Sequence, residues 1–241
     1  MNRVFAATDA KISNWLIGAL FALPAGMGVA DENPRDPYEG FNRAMYSVND
    51  ALDRAAIKPV AKAYDAALPL PLRAGVGNFF GNTGDLWIGI NDVMQGKLAD
   101  AGIDAARLLV NSTLGIFGLF DVASEMGLEK HEEDFGQTMA VWGVPSGPYL
   151  FWPFIGPRTV RDTAGWLGDT FVDPVWSVRT RTAAVRNSLV VTRYVDVRAS
   201  LLPADKVVEE GALDKYAYIR DAYLQRRRNQ IFDGRPPRLD D

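Results

Sequence analysis

Apolar side chains recur at intervals of three and four residues along most of this chain, and prolines and glycines interrupt the pattern. The clearest case is Phe41, Met45, Val48 and Leu52, which would line one face of a helix. The same spacing returns in residues 160–171. The pattern predicts one mostly α-helical domain, and the sequence shows no internal repeat and no long linker.

Proline and glycine set the expected helix boundaries. Asp36 is expected to cap a first helix, with Pro37 in its first turn. Pro59 is expected to bend or end that helix. Separate helical pieces are then predicted around residues 76–80 and 86–94, with Gly96 as a C-terminal cap. Further helices are expected at about residues 97–110, from Asp173-Pro174 onward, and at about residues 206–228.

Two segments stand apart from this pattern. Residues 114–120 are apolar on every side, which predicts a helix that is buried or faces lipid. Residues 139–154 are the least helical stretch, and the turn signal at residues 145–148 predicts a small hairpin between two short apolar runs. The second segment is rich in tryptophan and tyrosine, which favour membrane interfaces but also occur in cores.

The N-terminus and the composition limit the compartment and the class of function. Residues 1–30 combine early positive charges, an apolar run and a small-x-small pattern at Gly28-Val29-Ala30, which predicts a signal peptide cleaved after Ala30. The chain has no cysteine, which excludes disulfides and thiolate sites. A net charge of −4 argues against a general nucleic-acid binder.

Arginines are concentrated in one region. Residues 158–198 hold seven arginines, four aspartates and no lysine, for a local net charge of +3. The planar guanidinium suits phosphate better than the lysine ammonium does. A phosphate-bearing headgroup and an ordinary solvated helix face are both compatible with this pattern. The candidate headgroup residues are Arg158, Arg161, Arg179, Arg181 and Arg186.

Motifs for catalysis are weak or incomplete. The single histidine, His131, lies in a charged segment without a second histidine at metal-binding spacing, so a solvated loop is expected. Ser146 sits next to Gly147 and does not fit a nucleophile turn. We therefore expect no enzyme activity, no metal and no cofactor.

Several longer motifs resemble the MlaA/VacJ family. The first is Asp36-Pro37-Tyr38-Glu39-Gly40-Phe41-Asn42-Arg43-Ala44-Met45-Tyr46. The others follow in family order: Asn111-Ser112-Thr113-Leu114-Gly115, Gly118-Leu119-Phe120-Asp121-Val122-Ala123, Asp134-Phe135-Gly136-Gln137-Thr138, Trp142-Gly143-Val144, Gly147-Pro148-Tyr149-Leu150, Pro153-Phe154, Gly156, Arg161-Asp162 and Tyr223-Leu224-Gln225-Arg226-Arg227. The match covers about residues 36–234.

The resemblance implies a ring-like arrangement of helices embedded in one leaflet of the outer membrane, on its periplasmic side. It implies a protein that moves mislocalised phospholipid out of the outer leaflet and so maintains lipid asymmetry. The implied partners are phospholipid, an outer-membrane porin trimer, and a periplasmic lipid carrier linked to an inner-membrane ABC transporter. A porin-binding envelope scaffold that conducts no lipid is the alternative function.

Residue roles follow from the same resemblance. The expected lipid channel or hinge residues are Phe41, Asn42, Trp142, Gly143, Gly147, Tyr149, Phe151, Trp152 and Phe154. The expected organisation is a signal peptide (1–30), a helical domain (31–232) and a disordered tail (233–241). The family's usual lipid-bearing cysteine has no counterpart here, so membrane attachment is expected to come from the folded domain, a partner or an uncleaved N-terminus.

Overall fold

The chain is mainly helical, as its apolar spacing predicts. The computed structural model describes residues 34–177 and 183–238. The predicted signal peptide and the arginines at 179 and 181 therefore lie outside the described residues, as does the end of the predicted tail. Its helices and strands run in this order: α1 Glu39–Leu52, a π-helical segment Asp53–Ile57, α2 Lys58–Ala67, α3 Leu70–Gln95, α4 Leu98–Thr113, α5 Val122–Glu125, α6 Phe135–Val141, β1 Tyr149–Trp152, β2 Gly156–Thr159, α7 Val160–Val172, α8 Pro174–Ser177, α9 Ala183–Ser200, α10 Leu202–Gly211 and α11 Lys215–Ile231.

Some predicted helix boundaries are wrong. The two pieces expected before Gly96 form one helix, α3, because packing along α4 outweighs the cost of about 1 kcal/mol for each internal glycine. Gly96 does end α3, in the left-handed conformation with φ 82°. The single last helix predicted for residues 206–228 is instead two helices, α10 and α11.

The start of α1 also differs from the prediction. The helix begins at Glu39 without a side-chain cap, and Asp36 is fully buried before it. Asp36 accepts hydrogen bonds from the Asn42 carboxamide and from the Tyr216 hydroxyl of α11. Its carboxylate therefore joins two distant helices instead of capping one.

The hairpin exists, but its turn lies later than predicted. Strands β1 and β2 are antiparallel, with Tyr149 opposite Thr159 and Trp152 opposite Gly156. Phe154 and Gly156 take positive φ angles of 63° and 86°, which reverse the chain between the strands. Residues 145–148 lead into β1 rather than forming the turn, since Gly147 and Pro148 come before the first strand residue.

Residues 114–120 are not a helix. Ile116, Phe117 and Gly118 all have positive φ angles, so the chain folds into consecutive turns after α4. A Cβ at Gly118 would collide with the side chain of Asn82 on α3, which explains why glycine stands there. We call residues 114–120 the apolar loop.

Contacts between the elements close into a ring. The order around it is α1, β1, β2, α7, α6, α3, α9, α2, the π-helical segment and α1 again. At one joint α6 and α7 approach backbone to backbone, because a Cβ at Gly165 would overlap the backbone of Gly136. Within residues 34–177 and 183–238, no helix is long and apolar enough to cross a bilayer.

Polarity is partly inverted between the inside and the outside of this fold. Many of the largest fully buried side chains among the described residues are polar, including Asn42, Asn91, Asp92, Arg107 and Gln137. Large apolar side chains are exposed along several helices and in the apolar loop. Buried polar side chains and exposed large apolar side chains both depart from the usual distribution in a soluble protein.

Candidate functional site

The hairpin is held against α1 by two asparagine side chains. Asn42 donates to the carbonyl of Tyr149 at 3.1 Å and accepts from the amide of Phe151 at 2.8 Å. Asn49 donates to the carbonyl of Trp152 at 2.9 Å and accepts from the amide of Phe154 at 2.8 Å. The free edge of β1 thus pairs with carboxamides in place of another strand.

Helix geometry makes this pairing possible. Asn42 and Asn49 are seven residues apart, which places them on one face of α1 two turns from each other. Asn42 was expected at the site from the family motif. Asn49 was missed, although its spacing from Asn42 was a usable signal.

Most of the aromatic side chains of residues 149–154 lie in the core, which is one of the two settings that their residue types allow. Tyr149, Phe151 and Trp152 are 1%, 5% and 7% exposed. Tyr149 and Phe151 pack with Tyr216 of α11, and the Trp152 indole donates to the Thr163 hydroxyl at 2.8 Å. They are buried because α1, α7 and α11 cover the hairpin, which no local pattern indicates.

The other expected hinge residues are spread out. Phe154 is exposed at the hairpin turn, and Trp142 is exposed beyond α6 with its indole donating to the Met94 carbonyl. Gly143 and Gly147 have positive φ angles in the connection between α6 and β1. Phe41 is half-buried on α1. The structure therefore brings Asn42, Tyr149, Phe151 and Trp152 together, and leaves Trp142 apart from them.

A cavity of about 210 Å³ lies where the hairpin turn meets the ring. Its apolar wall includes Leu52, Ile57 and Ile155, and its polar wall includes Asn49 and Tyr194. Asp53, the first residue of the π-helical segment, also lines it and pairs with Arg198 of α9 at 2.7 Å. The mixture of apolar and polar walls suits an amphipathic molecule.

A larger cavity, of about 730 Å³, lies between the hairpin base and α11. We call it the arginine cavity, because Arg35, Arg161, Arg227 and Arg228 line it. Leu224, Ile231 and Phe232 give it an apolar side as well.

Two of these arginines belong to a buried ionic network. Arg161 lies 3.0 Å from Asp162, and Arg227 bridges Asp134 at 2.6 Å and Asp162 at 3.1 Å. Burial by itself would raise the pKa of Asp162, but Arg227 and the Tyr223 hydroxyl hold that pKa below its usual value. Among the described residues, no carboxylate pairs with Arg228.

The remaining predicted arginines differ in setting. Arg158 is half-buried with its guanidinium 5.5 Å from the Trp166 ring, and burial lowers its pKa. Arg186 lies on α9, where its side chain contacts the Asn187 carboxamide. Of the predicted arginines that the structure describes, only Arg161 lines the arginine cavity.

His131 is not in a solvated loop. Its side chain is 24% exposed, and its Nδ1 lies 2.9 Å from Asp104 Oδ2.

The apolar loop projects from a rigid base. Asn78 of α3 donates to the Leu119 carbonyl at 3.2 Å, and Asn82 donates to the Ser112 hydroxyl at 3.0 Å. Leu114 and Phe117 nevertheless remain 66% and 78% exposed.

Comparison with known proteins settles the family. The model of the family described as MlaA lipoprotein matches residues 34–230. This chain belongs to the MlaA family.

Relatives of known name agree with this assignment. The intermembrane phospholipid transport system lipoprotein MlaA of Escherichia coli K12 is 35% identical over 206 residues, covering 84% of this chain and 80% of that protein. The protein of the same name from Haemophilus influenzae is 28% identical over 233 residues, covering 91% of each chain.

A solved structure agrees with the fold. It comes from a study of the structural basis for maintenance of bacterial outer membrane lipid asymmetry. It matches with a TM-score of 0.71 and 32% identity, covering 83% of this chain and 99% of that one. The resemblance found in the sequence motifs is confirmed, and so is the mostly helical fold with a small hairpin.

The carboxamide contacts in this MlaA-family fold can be tested at the hairpin turn. Replacing Asn49 by alanine removes both bonds to residues 152 and 154, each contributing about 1 kcal/mol. We expect amide hydrogen exchange of the turn, residues 153–156, to become roughly fivefold to thirtyfold faster. Mass-spectrometric exchange measures this. Ser47→Ala, which removes only an exposed hydroxyl bond on the same helix, is the control. Unchanged exchange in Asn49→Ala would show that the turn does not depend on the carboxamide.

Proposed function

We propose that this chain is a phospholipid transport protein of the outer membrane that helps maintain lipid asymmetry. The combination of exposed apolar side chains, buried polar side chains and cavities with both polar and apolar walls carries this proposal. The relatives named for phospholipid transport and the structure connected with lipid asymmetry support it.

The finer parts of the proposal concern route and partners. We propose that phospholipid leaves the outer leaflet through this protein toward a periplasmic carrier, which serves an inner-membrane ABC transporter, and that a porin trimer holds the protein in place. Export by a cleaved signal peptide belongs to the same proposal. A channel lowers the barrier to lipid movement down a free-energy gradient and breaks no covalent bond, so no enzymatic step is required.

Passage is proposed to run past the hairpin turn, through the 210 Å³ cavity. Filling this cavity with Ile155→Trp should raise outer-leaflet phospholipid toward the level of a strain lacking the protein, because the indole occupies the conducting space. A membrane-impermeant amine label on surface phospholipid measures this, with protein abundance checked by immunoblot.

The matched control for cavity filling is Val207→Trp, an exposed position on α10 outside the cavity. Normal asymmetry with Ile155→Trp at normal abundance would contradict conduction through this cavity. If the Ile155→Trp protein also still co-purified with the porin trimer, a porin-binding scaffold that conducts no lipid would become the favoured function.

The arginine cavity is proposed to receive the phosphate headgroup. Arg228→Gln tests this without breaking the buried ionic network. A charge-assisted hydrogen bond contributes about 1.5–3 kcal/mol, so lipid retained on the purified protein should fall roughly tenfold or more. Quantitative lipid mass spectrometry measures the retained lipid.

The control for the headgroup site is Arg226→Gln, the same change on the same helix at an exposed residue paired with Glu132. Equal lipid retention by the two variants would remove the special role of the cavity. Arg161 stays a proposed headgroup contact within this cavity. Arg158 and Arg186 do not line the cavity and stay proposed headgroup contacts outside it.

The apolar loop is proposed to insert into the leaflet. Burying one large apolar side chain contributes about 1.5–3 kcal/mol, so Leu114 and Phe117 together could exceed the marginal hold of one acyl chain. We expect wild-type protein to stay in salt-washed envelopes, and Leu114→Ser/Phe117→Ser to move largely to the released fraction. Leu213→Ser, which changes an exposed leucine outside the loop, should stay bound. Retention of the double variant equal to wild type would exclude the loop as the anchor.

A further inference from the structure

Three side chains from separate elements converge at the junction of α3, α4 and the segment before α6. They are Asp92 of α3, Asp104 of α4 and His131. Each offers one ligand atom, and the three atoms lie within 4.8 Å of one another. We call this group the Asp92 cluster.

Three of the four carboxylate oxygens of the cluster lack a hydrogen-bond partner. Both aspartates are fully buried. Neither oxygen of Asp92 has a hydrogen-bond partner, and Asp104 Oδ1 has none either. A buried carboxylate without a partner is costly, so native structures pair it or use it to coordinate a cation.

Among the described residues, the nearby basic side chains pair with other carboxylates. Lys97 pairs with Glu133 at 2.9 Å, and Arg107 pairs with Asp121 at 3.0 Å. Lys130 pairs with Asp85.

The histidine geometry favours a metal ligand. His131 Nδ1 lies 2.9 Å from Asp104 Oδ2, close to the roughly 3.3 Å between ligand atoms of a tetrahedral site with bonds of about 2.0 Å. Its other nitrogen, Nε2, lies 3.7 Å from Asp100 Oδ1, which is within ion-pair distance but longer than a hydrogen bond. A metal-bound histidine commonly has a carboxylate on the side of its second nitrogen.

We propose that the Asp92 cluster binds one zinc ion through Asp92, Asp104 and His131, with Asp100 orienting the imidazole. Imidazole with carboxylates suits zinc, and three protein ligands leave a fourth position for water. The ion links the C-terminal end of α3 to α4 and to the segment that leads to Asp134. Asp134 in turn holds Arg227 at the arginine cavity.

The site is tested by titrating zinc sulfate into the full chain, purified in detergent and treated with chelator. Calorimetry measures the binding, and metal analysis measures the zinc bound per chain. We expect one zinc per wild-type chain and a rise in Tm, and no response to magnesium at the same concentration. Asp92→Asn and His131→Gln should each weaken zinc binding at least tenfold. Asp50→Asn, an aspartate of α1 far from the cluster, should bind zinc as wild type does.

Folding of the variants is controlled within the same experiment. Asp92→Asn is isosteric and removes a buried charge, so its metal-free Tm should equal or exceed that of wild type, and His131→Gln provides a second variant. Wild-type protein without stoichiometric zinc, or variants that bind zinc equally well, would overturn the proposal. Metal binding is measured without lipid, so this result is independent of the proposed transport function.

Discussion

Hydrogen bonds from two carboxamides to the open edge of β1 connect α1 to the hairpin and so close the ring. Asn42 is fully buried and also donates to Asp36 at 2.8 Å, and Asp36 accepts from Tyr216 of α11. One polar chain therefore joins the segment before α1, the hairpin and the last helix. Each bond adds only about 1 kcal/mol, but a buried amide left without its partner costs about 1–3 kcal/mol. The ring depends on this polar pairing as well as on apolar packing.

The ionic network around Arg227 also joins separate elements through buried polar groups. Arg227 reaches Asp134 at the start of α6 and Asp162 in α7, so one guanidinium fixes three helices where Gly136 and Gly165 let two backbones meet. Buried ion pairs contribute little net stability, yet removing one partner is costly. Such contacts define the geometry of the ring, and they leave the apolar side chains available for the outer surface.

Helix content followed from the apolar spacing, because a 3.6-residue period is a local property. The environment of Tyr149, Phe151 and Trp152 did not, since the residues covering them lie on α1 and α11, far away in sequence. Aromatic residue type alone fits both a core and a membrane interface. The Asp92 cluster was hidden for the same reason: its aspartates and histidine belong to three elements, so no spacing rule joins them. Asn42 and Asn49 were accessible, because their separation of seven is a helical repeat.

Exposed apolar side chains and buried polar side chains occur together in this fold. Among the described residues no helix is long and apolar enough to cross a bilayer. The apolar loop is one exposed apolar surface, and Asn78 holds its backbone against α3. An apolar outer surface favours burial in acyl chains, while buried charges resist transfer into them. Both tendencies agree with the proposed position of the ring in the plane of one leaflet. A phospholipid, apolar at one end and charged at the other, matches both surfaces of such a ring.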